Sequence, residues 1–189
     1  MELQHINVKV FVENACQPDL ETFINIFHAW IQKERLDELL IDVADYRHVR
    51  GGPEVLLVTD QADYCMDSAD GRLGLVYSRK GPVDGSAQER IGQALSGALN
   101  ACLLLESEYD TDNLRFSRQD FEVFVNDRAI APNTEDTHKQ FLPDLQNFVS
   151  TTFGGGFQTE RETDARRRYR LRVQLEEPFD LESVLKKLS

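Results

Sequence analysis

The chain has 189 residues, 41% hydrophobic and 29% charged, with a formal net charge of −12. That length suits one large domain or two small ones, and the mixture of apolar and charged residues argues against wholesale disorder. The negative charge argues against a nucleic-acid backbone or an anionic membrane as the main partner, because both repel a protein of that sign.

Ile6, Val8, Val10 and Val12 alternate with Asn7, Lys9 and Phe11, which predicts a strand with one buried face. Pro18, Asp19 and Glu21 suit the first turn of a helix, and Phe23, Ile24, Phe27, Trp30 and Ile31 recur at helical spacing after it. A second strand is expected at Leu39 to Val43. The four consecutive apolar residues Val55 to Val58 predict a central strand covered on both faces. Ala62, Tyr64 and Met66 alternate with Asp63, Cys65 and Asp67. With an Asp70-Gly71 turn and Leu73, Leu75 and Tyr77 beyond it, Glu54 to Ser78 reads as an antiparallel meander.

Ser86, with Glu89 three residues on, predicts a capping box and a helix to about Glu106. Its many small residues predict close packing and deep burial. Tyr109 to Asn113 is polar and acidic and is the best boundary. Phe121 to Val125 reads as a strand, with a turn at Asn126-Asp127 leading to Ala129-Ile130. A helix follows with Phe141, Leu145, Phe148 and Val149 on its apolar side, an awkward Pro143 inside it and Gly154 to Gly156 at its end. Phe157 to Arg161 and Arg168 to Leu175 read as a hairpin, and Pro178 starts a short closing helix.

Cys16, Cys65 and Cys102 form no C-x-x-C pair, and an odd count is a poor disulfide framework. The first residues lack the basic start and apolar run of a signal peptide, and no apolar run approaches the ~20 residues that span a bilayer. A cytoplasmic protein is the expectation.

Chemistry-bearing side chains concentrate between Ile41 and Lys80. His48, with Asp45 to orient it, is the candidate for acid–base catalysis; a polar strand end that meets solvent is the plainer alternative. Asp63, Tyr64 and Arg72 are candidates for ligand binding. Asp60, Asp63, Asp67 and Asp70 do not have the spacing of a calcium-binding hand, and no metal is expected. Arg168, Arg170 and Arg172 share one face of a strand, where Glu160 and Glu162 of the preceding strand can pair with them. Arg168 and Arg170 are also candidates for an anion clamp. Gly154 to Gly156 follows a helix and precedes a strand, so it is no phosphate loop, and no cofactor is expected. Negative neighbours oppose nucleophilic use of Cys65.

The segments FHAWIQ, LLIDVADYRHV and ADYCMDSADGRLGLVYSRK resemble those of a family of short bacterial proteins known only as uncharacterised. The resemblance covers roughly the first half of the chain. It implies a bacterial cytosolic protein and carries no activity or functional residue across.

The expected fold is α+β, a single domain of mostly antiparallel sheet with about four packed helices. Two pseudo-repeated β-α-β-β-α halves, divided at 107–113, are a further expectation. The expected function is a non-catalytic binding or regulatory role toward a small molecule or a protein partner. The alternatives are a small-molecule enzyme using His48 and Asp45, and a structural subunit of a homodimer or larger homo-oligomer.

Overall fold

A computed structural model of the chain describes residues 3–13, 16–49, 52–109 and 114–188. Among the described residues lie four α-helices and one eight-stranded antiparallel sheet. In chain order the elements are β1 (Ile6–Val12), α1 (Leu20–Lys33), β2 (Leu40–Asp45), β3 (Pro53–Thr59), β4 (Ala62–Asp67), β5 (Gly74–Arg79), α2 (Ala87–Glu108), β6 (Phe116–Val125), α3 (Glu135–Phe153), β7 (Phe157–Arg161), β8 (Arg170–Leu175) and α4 (Leu181–Leu188). The strand order is β2-β3-β4-β5-β1-β6-β8-β7. The α+β class, the antiparallel sheet and the four helices agree with the pattern of the sequence.

Alternation decides which face each strand gives to the core. Val8 and Val10 of β1, Leu75 and Tyr77 of β5, Phe121 and Val123 of β6, and Leu171 and Val173 of β8 join residues of all four helices in one apolar cluster. The helices therefore cover one face of the sheet. α2 is the most buried helix, and its Gly97 lets the Tyr77 ring approach so closely that a Cβ there would stand 2.6 Å from it. Both arms of the expected capping box form: Glu89 N–H donates to Ser86 Oγ, and Ser86 N–H to Glu89 Oε2 at 2.6 Å. Pro143 stays inside α3 because it faces solvent, where water can meet the carbonyl that its ring leaves without a donor. Gly154 ends that helix at φ 72°.

Several boundaries differ from the expectation. β3 lies second from the edge, not at the centre: Val55, Leu57 and Thr59 are buried against the helices, while Leu56 and Val58 are half-buried on the other face. β6 begins five residues earlier than its apolar run suggests, at Phe116. Asn126 to Ile130 turns without starting a strand. α4 begins at Leu181, not Pro178, because Asp180 caps it by accepting from Ser183 N–H at 2.9 Å. The second half runs β-α-β-β-α, whereas the first carries four strands between its helices. Residues 110–113 of the expected boundary lie outside the described residues. No helix among the described residues is long and apolar enough to cross a membrane.

Candidate functional site

The sheet face away from the helices holds the chemistry. β1 points Asn7, Lys9 and Phe11 to this outer face, and all three are buried without a helix above them. Lys9 is 4% exposed. A charge that deep needs a partner. Its Nζ donates to Asp67 Oδ1 at 2.7 Å and to the Ala69 carbonyl at 3.3 Å. On the other side Lys9 stands opposite Glu122 of β6 in the strand register. Burial pushes the Glu122 carboxyl up, against the pull of Arg170 and Lys9.

Phe11 is roofed by cations. The Arg72 guanidinium carbon lies 3.9 Å from the ring centroid, that of Arg172 at 5.4 Å and Lys9 Nζ at 5.7 Å. Asp120 ties the two arginines together, accepting from Arg72 Nη1 at 2.7 Å, from Arg172 Nη2 and from Ser117 Oγ at 2.5 Å. Burial alone would raise the Asp120 carboxyl. The hydrogen bonds from Arg72, Ser117 and Arg172 outweigh it and hold the group below the ordinary aspartate range.

A single 3-10 turn, Ala69–Gly71, joins β4 to β5 and projects over this face. Asp70 in it adopts φ 63°, the left-handed region that Asp tolerates better than most residues. Its carboxylate reaches across β1 and β6 to Arg167 Nη1 at 2.6 Å and Arg170 Nη1 at 2.5 Å. Hydrogen bonding from Arg170 is the main reason that the Asp70 carboxyl sits below its ordinary value. Glu162 shares the same two arginines, at 2.9 Å to Arg170 and 3.3 Å to Arg167. The hairpin pairing expected from the sequence thus forms through Glu162.

Beside this network lies a hollow of about 760 Å³. Leu56, Cys65, Val76 and Phe124 make its apolar floor, a cluster separate from the main core. Arginines form its rim: Arg128, Arg166, Arg167, Arg168 and Arg170. Arg166 is occupied by Asp164 at 2.9 Å. Arg168 stacks over the Phe124 ring at 4.8 Å and donates to Asn126 Oδ1 at 2.7 Å. Among the described residues neither Arg128 nor Arg168 has a carboxylate partner. Two smaller hollows adjoin along the same face, about 330 Å³ over Phe11, Glu122 and Arg170, and about 550 Å³ beside Arg72, Asp120 and Arg172.

The sequence candidates divide among three places. Asp63, Arg168 and Arg170 line the large hollow, and Arg72 lines the two beside it. Tyr64 points the other way, into the core, where its hydroxyl donates to Glu38 Oε1 at 2.5 Å. Asp45, the last residue of β2, and His48 in the turn that follows it are exposed. There Asp45 is held by Arg47 rather than by His48, with bonds at 3.0 and 2.8 Å that keep its carboxyl down to about 2. The aspartate series also disperses: Asp63 goes to Lys80 at 2.6 Å, Asp67 to Lys9, Asp70 to the arginines, and Asp60 accepts from Leu39 N–H at 3.1 Å. Burial first, then Asp67, pushes the Cys65 thiol up to about 12, so it is no nucleophile at neutral pH.

The pattern of the sequence alone does not single out Lys9, Asp120, Glu122, Phe124 or Arg128 as site residues. The signal was a lone charge inside an otherwise apolar strand: Lys9 within VKVFV and Glu122 within FEVFV. Most exposed large apolar side chains gather elsewhere, on and around edge strand β2, at Leu39, Ile41, Tyr46 and Val49, while Ile130 stands in the turn that carries Arg128.

Comparison with models of known protein families and with curated proteins found no match to this chain.

Proposed function

We propose that this chain is a non-catalytic binding protein of the bacterial cytoplasm, with a regulatory role exercised through a small molecule held on the outer face of the sheet. One observation carries the reading: a hollow of about 760 Å³ with a continuous apolar floor and convergent polar groups on its rim. Small-molecule sites are concave, mostly apolar and roughly 300–1,000 Å³ in volume. The resemblance of the first half to short bacterial proteins supports the bacterial assignment. Binding is further supported by the state of two candidate catalytic groups: Cys65 is held as the thiol and Asp45 is committed to Arg47.

A second reading, a small-molecule enzyme, is favoured by Glu122. Its raised carboxyl lines two of the hollows and is the kind of proton donor that acid catalysis uses. A third, assembly with a second copy, has the exposed apolar residues around β2 in its favour.

The test is a thermal-shift screen of nucleotides, phosphorylated metabolites and organic acids, run in parallel on wild type and Ser78→Tyr. Ser78 is half-buried on the wall of the hollow, on the face of β5 opposite the core, and a tyrosine there obstructs the hollow. A compound that stabilises the wild type in proportion to dose and leaves the variant unmoved supports the reading. Equal stabilisation of both proteins would place the ligand elsewhere and overturn it. Chemical conversion of the compound during incubation would favour the enzyme.

A further inference from the structure

We infer that the ligand of the outer-face hollow is an organic anion with an apolar body, its anionic group taken by Arg128 and Arg168 and its body laid over Leu56, Cys65, Val76 and Phe124. This rests on the reading of the hollow as a ligand site and names the chemistry that site selects.

Three observations converge on it. The first is local charge. Six cationic side chains line the hollow against four anionic ones, in a chain whose net charge is −12. The rest of the molecule repels anions, so the field of this rim is the feature that would focus one. The second is the occupancy of the arginines. Arg167 and Arg170 are consumed by Asp70 and Glu162, and Arg166 by Asp164. Arg128 and Arg168 stand at the same rim with no carboxylate upon them among the described residues. Guanidinium groups bind carboxylate, sulfonate and phosphate oxygens through paired N–H donors, which lysine cannot reproduce. The third is the floor. Phe124, Cys65, Val76 and the half-buried Leu56 line the hollow on the face that no helix covers, so a body seated there meets apolar side chains. An inorganic anion would leave that surface unused, and a neutral apolar compound would leave the two guanidinium groups without an anion. A ligand that carries both parts satisfies both.

Asp70 shows what the rim recognises. Its carboxylate has crossed two strands to bind arginines of the same rim, one oxygen on each. The chain's own side chain thus occupies half of the rim in the manner expected of the ligand in the other half.

The experiment titrates the full chain with three probes. These are 8-anilino-1-naphthalenesulfonate (apolar anion), N-phenyl-1-naphthylamine (the same body without the sulfonate) and inorganic phosphate (anion without the body). Fluorescence follows the first two, and displacement of the first follows the third. The inference expects saturable binding of the sulfonate at one site and at least about tenfold weaker binding of the other two. It further expects Arg128→Ala/Arg168→Ala to weaken the sulfonate by at least about tenfold and to leave the amine unchanged. Both arginines are exposed, and an unchanged melting temperature certifies the fold of the variant. Equal binding of sulfonate and amine, or equal binding of phosphate, overturns the inference while the hollow remains a ligand site. Sulfonate binding that ignores the double variant overturns it too. Absence of binding by all three overturns both the inference and the reading beneath it.

Discussion

Asp120→Ala is expected to lower stability by about 2–3 kcal/mol at pH 7, or roughly 5–10 °C in melting temperature for a chain of this size. The Asp120 side chain is 7% exposed and joins Arg72 to Arg172 over the Phe11 ring. Its removal leaves two guanidinium groups facing one another with no anion between them. The figure lies below that of a fully buried pair because the arginine side chains keep 28% and 35% of their exposure, so water screens part of the loss. The effect must depend on pH in one direction. The folded-state carboxyl is held below its ordinary value, so its contribution is full above roughly 3.9, the unfolded value. It declines as pH falls from there through the lowered folded value. Chemical denaturation of both proteins from pH 7 to pH 3 checks this: the gap stays constant to about pH 5 and narrows in acid. A gap that widened in acid would mean that Asp120 is protonated in the native state.

Gly74→Ala is expected to cost about 3 kcal/mol, the upper end of what overpacking does. A Cβ at Gly74 would stand 2.6 Å from the Val10 carbonyl oxygen, 3.0 Å from Lys9 Cε and 3.1 Å from Phe11 Cα. Two of these are backbone atoms of β1, the strand at the middle of the sheet, and they cannot swing aside. The glycine sits opposite Phe11 in the β1–β5 register and leaves the space in which the Lys9 stem runs to Asp67. Gly81→Ala is the control, since no atom lies within 4 Å of its Cβ and its φ is unremarkable. The paired melting curves should separate widely. Equal melting temperatures would show that β1 and β5 can part without loss.

Local pattern was legible in the chain wherever one residue's neighbours in sequence decide its state. The Ser86/Glu89 box, the end of α3 at Gly154 and the arginine–glutamate pairing of the last hairpin all follow from residues a few positions apart. Alternation in β1 places Val8 and Val10 in the core but predicts one buried face, whereas both faces of β1 are buried, because Asn7, Lys9 and Phe11 lie under side chains of the outer face. The apolar run Val55 to Val58 misled for a physical reason. Leu56 is apolar because it paves the outer hollow, not because a helix covers that side, so a half-open strand imitates a central one. The site was hidden by topology. Lys9 and Glu122 are ordinary as single charges, and they become buried neighbours of opposite sign only because β6 pairs with β1 across a long separation in sequence. Asp70 reads locally as a turn residue, which it is, yet its carboxylate serves arginines on β8's side of the sheet. No local pattern announces Arg128, which lines the hollow only because long-range strand pairing assembles the apolar floor there.

We propose that this protein meets its ligand on the outer face of the sheet, and not at the turn at His48 or the edge at β2. Backbone amide chemical shifts recorded during titration with 8-anilino-1-naphthalenesulfonate test it most directly. The shifts should concentrate at Leu56, Cys65, Val76, Phe124, Arg128 and Arg168, while Asp45, His48 and Ile41 stay in place. Shifts centred on β2 and its following turn, with the outer face unmoved, would contradict it.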